Sequence, residues 1–299
     1  GSGTFSTEAN GCAVIFASSI SDNDNTTDWR GVIFQGQTGA VYGANIAPIE
    51  DFTISEEYEL TIENGKTLTI SADITLTNDG TIVNNGTIDG TVSGTGNVLA
   101  DTYYLDTDNG RKDQQANLVT PGSTAWTGNN PDGGWYVVTG DVTIGQRVTV
   151  NGNVHLILAD GCNLTVNGGI NVSEGNSLTI YAQSTGKDMG ALTATGTDSQ
   201  AGIGSGYYST SGIITINGGT VKATGGGGGA GIGGGAFGAV GTITISGGAV
   251  TATGGINSGA GIGGGGTIII SGGTGNATRG SGGGAGIGGR STTIHHGVA

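Results

Sequence analysis

Along most of the chain, apolar and polar residues alternate in short bursts, and each burst ends in Gly, Asn or Asp. Such period-two runs predict half-buried strands separated by turns. Val142/Ile144, Val148/Val150, Leu164/Val166, Ile170/Val172 and Leu178/Ile180 mark the inward positions of successive strands, with turns such as Asn167-Gly168-Gly169 between them. Upstream, Leu60-Thr61-Ile62, Leu68-Thr69-Ile70 and Ile74-Thr75-Leu76 repeat the pattern. A clipped series follows in Thr81-Ile82-Val83, Thr87-Ile88-Asp89 and Thr91-Val92-Ser93.

The strands are organised as a repeat. Ala-Gly-Ile-Gly begins at Ala201, Ala230, Ala260 and Ala285, at spacings of 29, 30 and 25. A second element keeps step with it, beginning at Gly212, Gly241 and Gly266 and, in degenerate form, at Arg290. A third runs from Thr220 and from Ala249 as Thr-Val-Lys-Ala-Thr and Ala-Val-Thr-Ala-Thr. Self-similarity at this period is the mark of a solenoid. Three strand-like elements per unit, parted by Gly-rich corners, predict an all-β fold, a right-handed parallel β-helix (three-sided β-solenoid). Stacking the units would set Ile216, Ile245, Ile270 and Ile294 in one ladder and Ile203, Ile232, Ile262 and Ile287 in another, about 4.8 Å apart. The four Ala residues that open the repeat would stack on a cramped side.

Unit length varies at the corner after Ala-Gly-Ile-Gly. The first unit inserts Ser205–Ser211, the second Gly234–Val240, and the third almost nothing. Insertions on one edge of a solenoid are where repeat proteins build binding surfaces.

The pattern divides the chain as follows. Residues 1–3 read as an appended scar. Residues 4–98 are N-terminal β-helical coils, of which 11–43 start or cap the helix. Residues 99–133, where the repeat lapses around Asp106, Asp108, Arg111, Lys112 and Asp113, read as a polar loop or linker. Residues 134–299 are the Gly-rich β-helix, expected to be cut short at its C-terminus within a larger protein.

Composition narrows the function. With 66 Gly but 3 Pro and no three-residue period, the chain is not collagen-like. The net charge is −14, every acidic residue lies at or before Asp198, and no basic patch exists. Nucleic acid and anionic membrane surfaces are therefore excluded as expected partners, since both need clustered Lys or Arg. No apolar stretch reaches 18 residues, so no membrane insertion is expected, and no signal-peptide pattern opens the chain. Cys12 and Cys162 lie 150 positions apart, which in a solenoid places them several coils apart, beyond bridging distance. Two thiols, at least one buried, are expected.

Taken together, Ala13-VIFASSI, Trp29-RGVIF, Leu60-TIENGKTLTI, Gly134-WYVVTGDVTI, Val154-HLILADGCNLTVNGGI, Leu178-TIYAQSTG and the GAGIGG repeats resemble the β-helical repeat regions of large secreted or wall-attached surface proteins of Gram-positive gut anaerobes. The resemblance spans nearly the whole chain. It implies an extracellular or cell wall-attached module of adhesive or glycan-binding character, and it carries over no catalytic residue.

Hydrolases on this fold need a carboxylate pair, and the GAGIGG coils contain no acid, so a polysaccharide lyase or hydrolase would have its site upstream of residue 198. His295 and His296 sit on a degenerate turn, and His155 within a strand. Asp22, Asp24 and Asp28 space oxygens as a calcium loop begins, yet the sixth-position Gly is absent and Ile33 stands where the closing Glu would be. Calcium is the one candidate ion, with an ordinary Asp/Asn turn as the alternative. Thr193/Thr195 and Thr251/Thr253 resemble a flat ice-binding face, but Lys222 interrupts it. Tyr207, Tyr208 and Phe237, on the corner insertions, would form an exposed aromatic row for sugar rings, against the alternative that they fold over the corner. The expected function is thus a non-catalytic, surface-displayed adhesin stalk or glycan-binding module, with polysaccharide or host glycan as partner. An enzyme and a purely structural spacer are the competing readings.

Overall fold

The computed structural model describes residues 31–129, 131–264, 266–288 and 291–294, together with the backbone of 12–16. Among them there is no helix. The fold is all-β, its repeats joined through parallel strands, an arrangement compatible with a β-solenoid. The chain forms two compact units, Gly1–Asp101 and Thr102–Ala299.

In the first unit, Cys12–Phe16, Gly31–Gln35 and Thr38–Tyr42 pair in antiparallel fashion. Thr38–Tyr42 then begins a parallel ladder with Glu59–Ile62, Thr81–Asn84 and the start of Asn97–Leu105. Two further parallel ladders join Asn45–Ile46, Thr67–Thr69 and Thr87–Asp89, and Phe52–Ile54, Leu76–Asn78 and Val92–Ser93. The clipped Gly-Thr series therefore supplies one strand to each ladder. Its corners are tight enough that a Cβ on Gly80 would overlap the carbonyl oxygens of Ser55 and Tyr58. Phe34, Ile54, Leu60, Ile62, Leu68, Leu76 and Ile82 fill the interior.

In the second unit, each strand pairs in parallel and in register with its counterpart one repeat on. Ile180, Ile216, Ile245, Ile270 and Ile294 are consecutive register partners, and so are Ile170, Ile203, Ile232, Ile262 and Ile287. Both expected ladders form, each extended by one upstream Ile. A third joins Asp141–Ile144, Asn163–Val166, Ala191–Thr195, Thr220–Thr224, Ala249–Thr253 and Thr274–Thr278. The second Gly of Ala-Gly-Ile-Gly has φ of 137° at Gly204 and 132° at Gly233, where a Cβ would overlap the carbonyl of Gly233 or Gly263. No other residue satisfies both constraints.

Residues 99–133 differ from the expected loop. They lie largely within the strands Asn97–Leu105, Arg111–Leu118 and Ala125–Gly128. Half of the residues of Arg111–Leu118 are exposed, and its polar sequence hides a strand that pairs through its backbone with Gly134–Val138 at Asn117 and Leu118. Arg147 is a second feature the pattern does not announce. Its guanidinium donates to the carbonyls of Gly168, Ala201 and Gly204 at 2.8–3.0 Å, tying three repeats together. Burial lowers its pKa to about 10, which leaves it cationic at neutral pH.

The inward and outward faces of a single strand should differ sharply in energetic weight. Ile216→Ala removes a fully buried ladder rung, whereas Ile213→Ala alters an exposed side chain three residues away. Chemical denaturation is expected to show a loss of about 2–5 kcal/mol for the first and within about 0.5 kcal/mol for the second.

Candidate functional site

Both corner insertions form turns that lie one upon the other. The Tyr208 amide donates to the Ala236 carbonyl (3.0 Å) and that of Ser211 to Ala239 (2.9 Å), placing Tyr208 beside Phe237. The first corner is pinned from within. Ser205 is buried, and its Oγ donates to the Ser209 carbonyl (2.6 Å) while accepting from the Gly235 amide (3.2 Å). The second corner is held from outside by the Ala236 amide, which donates to the Ser199 carbonyl at 2.8 Å.

On this fixed base the three aromatics project outward, with relative exposures of 51% for Tyr207, 68% for Tyr208 and 77% for Phe237. Tyr208 and Phe237 stack at 5.2 Å with 17° between ring planes. Tyr207 meets both steeply, at 4.4 Å and 77° from Tyr208 and at 5.9 Å and 78° from Phe237. A side-chain hydrogen bond with Tyr208 raises the Tyr207 pKa, so its phenol stays protonated at neutral pH. The three residues read from the sequence are thus one cluster, with two rings face to face and the third edge-on to both.

Their backbone is unusual. Tyr208 and Phe237 occupy equivalent turn positions with φ of 53° and 59°. Bulky residues adopt this region at a steric cost that Gly avoids, and this chain uses Gly freely elsewhere. Neither the ring stacking nor the strain has a signal in the sequence beyond the 29-residue spacing of the two positions.

A second aromatic group was not anticipated. Trp135 and His155 are register partners, and their rings stack at 4.2 Å and 14°. Tyr104 and Tyr181 lie against Trp135 at 4.8 and 5.6 Å. These rings spend their faces on one another, on the same outward side of the strands as the fully buried Val137 and Ile157. His155 is a strand residue of this stack, with Asn153 Nδ2 3.2 Å from Nε2. The outward placement of Trp135, His155 and Tyr181 on neighbouring strands was the available signal.

The mixed-charge segment closes a turn. Asp106 Oδ1 accepts from the amides of Gly110 (2.8 Å) and Asp108 (3.0 Å), which lowers its pKa, and Lys112 lies 3.6 Å away. Arg111 pairs with Asp113 at 2.9 Å and lies over the Tyr103 ring. A groove of about 460 Å³ runs beside this turn past Met189, Asn217 and Ser246, and Asp106 is its only carboxylate. Cys162 is a free, buried thiol whose pKa burial raises to about 11. The calcium candidates Asp22, Asp24 and Asp28, together with His295 and His296, lie outside the described residues, as does the Cys12 side chain. Among the described residues, no three His, Cys, Asp or Glu side chains are grouped to hold a metal. No family model, curated protein or solved structure matches the chain.

Desolvation lowers the His155 pKa, so folding favours its neutral form. As pH falls, the unfolded chain takes up this proton first. The resulting stability is complete above about 6.5, the ordinary imidazole value, and is lost as pH falls through the folded value. Between about pH 7.5 and 5, the melting temperature should fall more for the native protein than for His155→Gln, as read by circular dichroism.

Proposed function

We propose that this chain is a right-handed, three-sided parallel β-helix that acts as a non-catalytic glycan-binding module, with Tyr207, Tyr208 and Phe237 as its sugar-contacting platform. The handedness rests on the parallel strand-to-strand crossovers, which are right-handed in nearly all known cases. Display outside the cell, secreted or wall-attached, within a larger adhesin-like protein, rests on the resemblance of its repeats. Polysaccharide or host glycan is the partner.

One observation carries the binding reading. At two equivalent corners that demand positive φ, a chain with 66 Gly places a Tyr and a Phe, and leaves both rings largely in solvent. Strain at an exposed position, with little burial to offset it, is what a ligand-contacting residue displays. The apolar face of a pyranose packs on such rings.

The two readings of these rings part on stability. Phe237→Gly relieves the positive φ and should leave the melting temperature unchanged or raise stability by about 0.5–1 kcal/mol. On a glycan array, the native protein should bind, and the Tyr207→Ala, Tyr208→Ala, Phe237→Ala triple variant should not. A marked drop in melting temperature for Phe237→Gly would make the rings part of the scaffold. Absence of glycan binding by the folded native protein would leave a structural spacer.

A further inference from the structure

The aromatic platform stops abruptly. The segment between the short Ile-Gly strand and the next strand has eight residues in the first repeat (205–212) and eight in the second (234–241), but three in the third (264–266). The third repeat still stacks closely. The Gly234 amide donates to the Gly263 carbonyl at 3.0 Å, and a Cβ on Gly264 would lie 2.9 Å from Val240 Cγ2 and 3.2 Å from the Gly234 nitrogen. The third repeat therefore packs beneath the second corner without a projecting corner of its own.

The result is a step. Phe237 has one ring face on Tyr208, and among the described residues no ring lies on the other. It is also the most exposed of the three aromatics. The turn that precedes the third Ala-Gly-Ile-Gly lies alongside, because a Cβ on Gly228 would be 3.0 Å from Ala236 Cβ and 3.1 Å from the Asn257 carbonyl. That turn presents Ile256, Asn257 and Ser258, all exposed. Its backbone is fixed, since the Asn257 amide donates to the Gly227 carbonyl (2.9 Å) and Ser258 Oγ to the Gly282 carbonyl (2.7 Å).

We infer that this step is a saccharide subsite for a single uncharged pyranose unit, which stacks on the free face of Phe237 and is hydrogen-bonded through its hydroxyls by the Asn257 side-chain amide. The inference rests on the glycan-binding reading and assigns its contact point and ligand class. The contacting groups, an aromatic ring, an aliphatic side chain and an amide, carry no charge and so offer an ionised sugar no counter-charge. A row-wise ligand would instead need the face that Tyr208 and Phe237 already give to each other.

The short third corner provides the test. Inserting Ala-Phe-Gly-Ala-Val between Gly265 and Gly266, a copy of residues 236–240, gives the third repeat the eight-residue corner of the second and is designed to place a new ring over Phe237. Binding to soluble mannan, mixed-linkage glucan and polygalacturonate is measured by affinity electrophoresis and titration calorimetry, with folding followed by circular dichroism. A folded insertion variant should bind the neutral polymers about tenfold or more weakly, Asn257→Ala should weaken binding several-fold, and raising salt from about 0.05 to 0.5 M should change affinity less than about twofold.

Undiminished binding by the insertion variant, with binding still lost in Phe237→Ala, would overturn the step and keep the aromatic row. Binding unaffected by Phe237→Ala would overturn both. Preference for polygalacturonate that disappears at high salt would overturn the uncharged ligand class. If the insertion variant does not fold, Asn257→Ala decides, and unchanged neutral-glycan affinity in that variant overturns the subsite.

Discussion

The structure depends on parallel, in-register stacking of successive repeats. Backbone hydrogen bonds at the inter-strand spacing of about 4.8 Å make the counterpart one repeat away the nearest neighbour of each strand residue. Side chains at equivalent positions must then share size and polarity, which is why Ile216, Ile245 and Ile270 follow one another. The same closeness explains the second Gly of Ala-Gly-Ile-Gly. At Gly204 and Gly233 the backbone of the next repeat already fills the space that a side chain would need.

Such a scaffold leaves few places free to vary. A residue within a ladder is constrained by neighbours above and below, and one residue of slip would turn the inward set outward. Corners are different, because an insertion there projects away from the stack. The two eight-residue corners use this freedom, and Ser205 and Ser199 hold them in place. Tyr208 and Phe237 thus stand on supports fixed by hydrogen bonds. The Trp135 stack shows the opposite use of aromatic rings. There the faces are consumed by one another and by Tyr104. Exposure and free ring faces, rather than aromatic content, separate the two clusters.

The sequence by itself determined the strands, the repeat and its Ile ladders, and the position of Tyr207, Tyr208 and Phe237 on corner insertions. It could do so because a stacked repeat converts spatial neighbours into a fixed sequence spacing. Features that break this correspondence were decided only by the tertiary structure. Arg147 reaches the carbonyls of Ala201 and Gly204 more than 50 positions away, and nothing in its local sequence marks those acceptors. The strand Arg111–Leu118 lacks apolar alternation because half of its residues are exposed and it is paired through its backbone. The positive φ of Tyr208 and Phe237 and the face-to-face contact of their rings arise from how one corner lies on the next. Spacing reports which residues are stacked, whereas backbone conformation and the direction of a side chain depend on packing around them, and only the folded chain sets that.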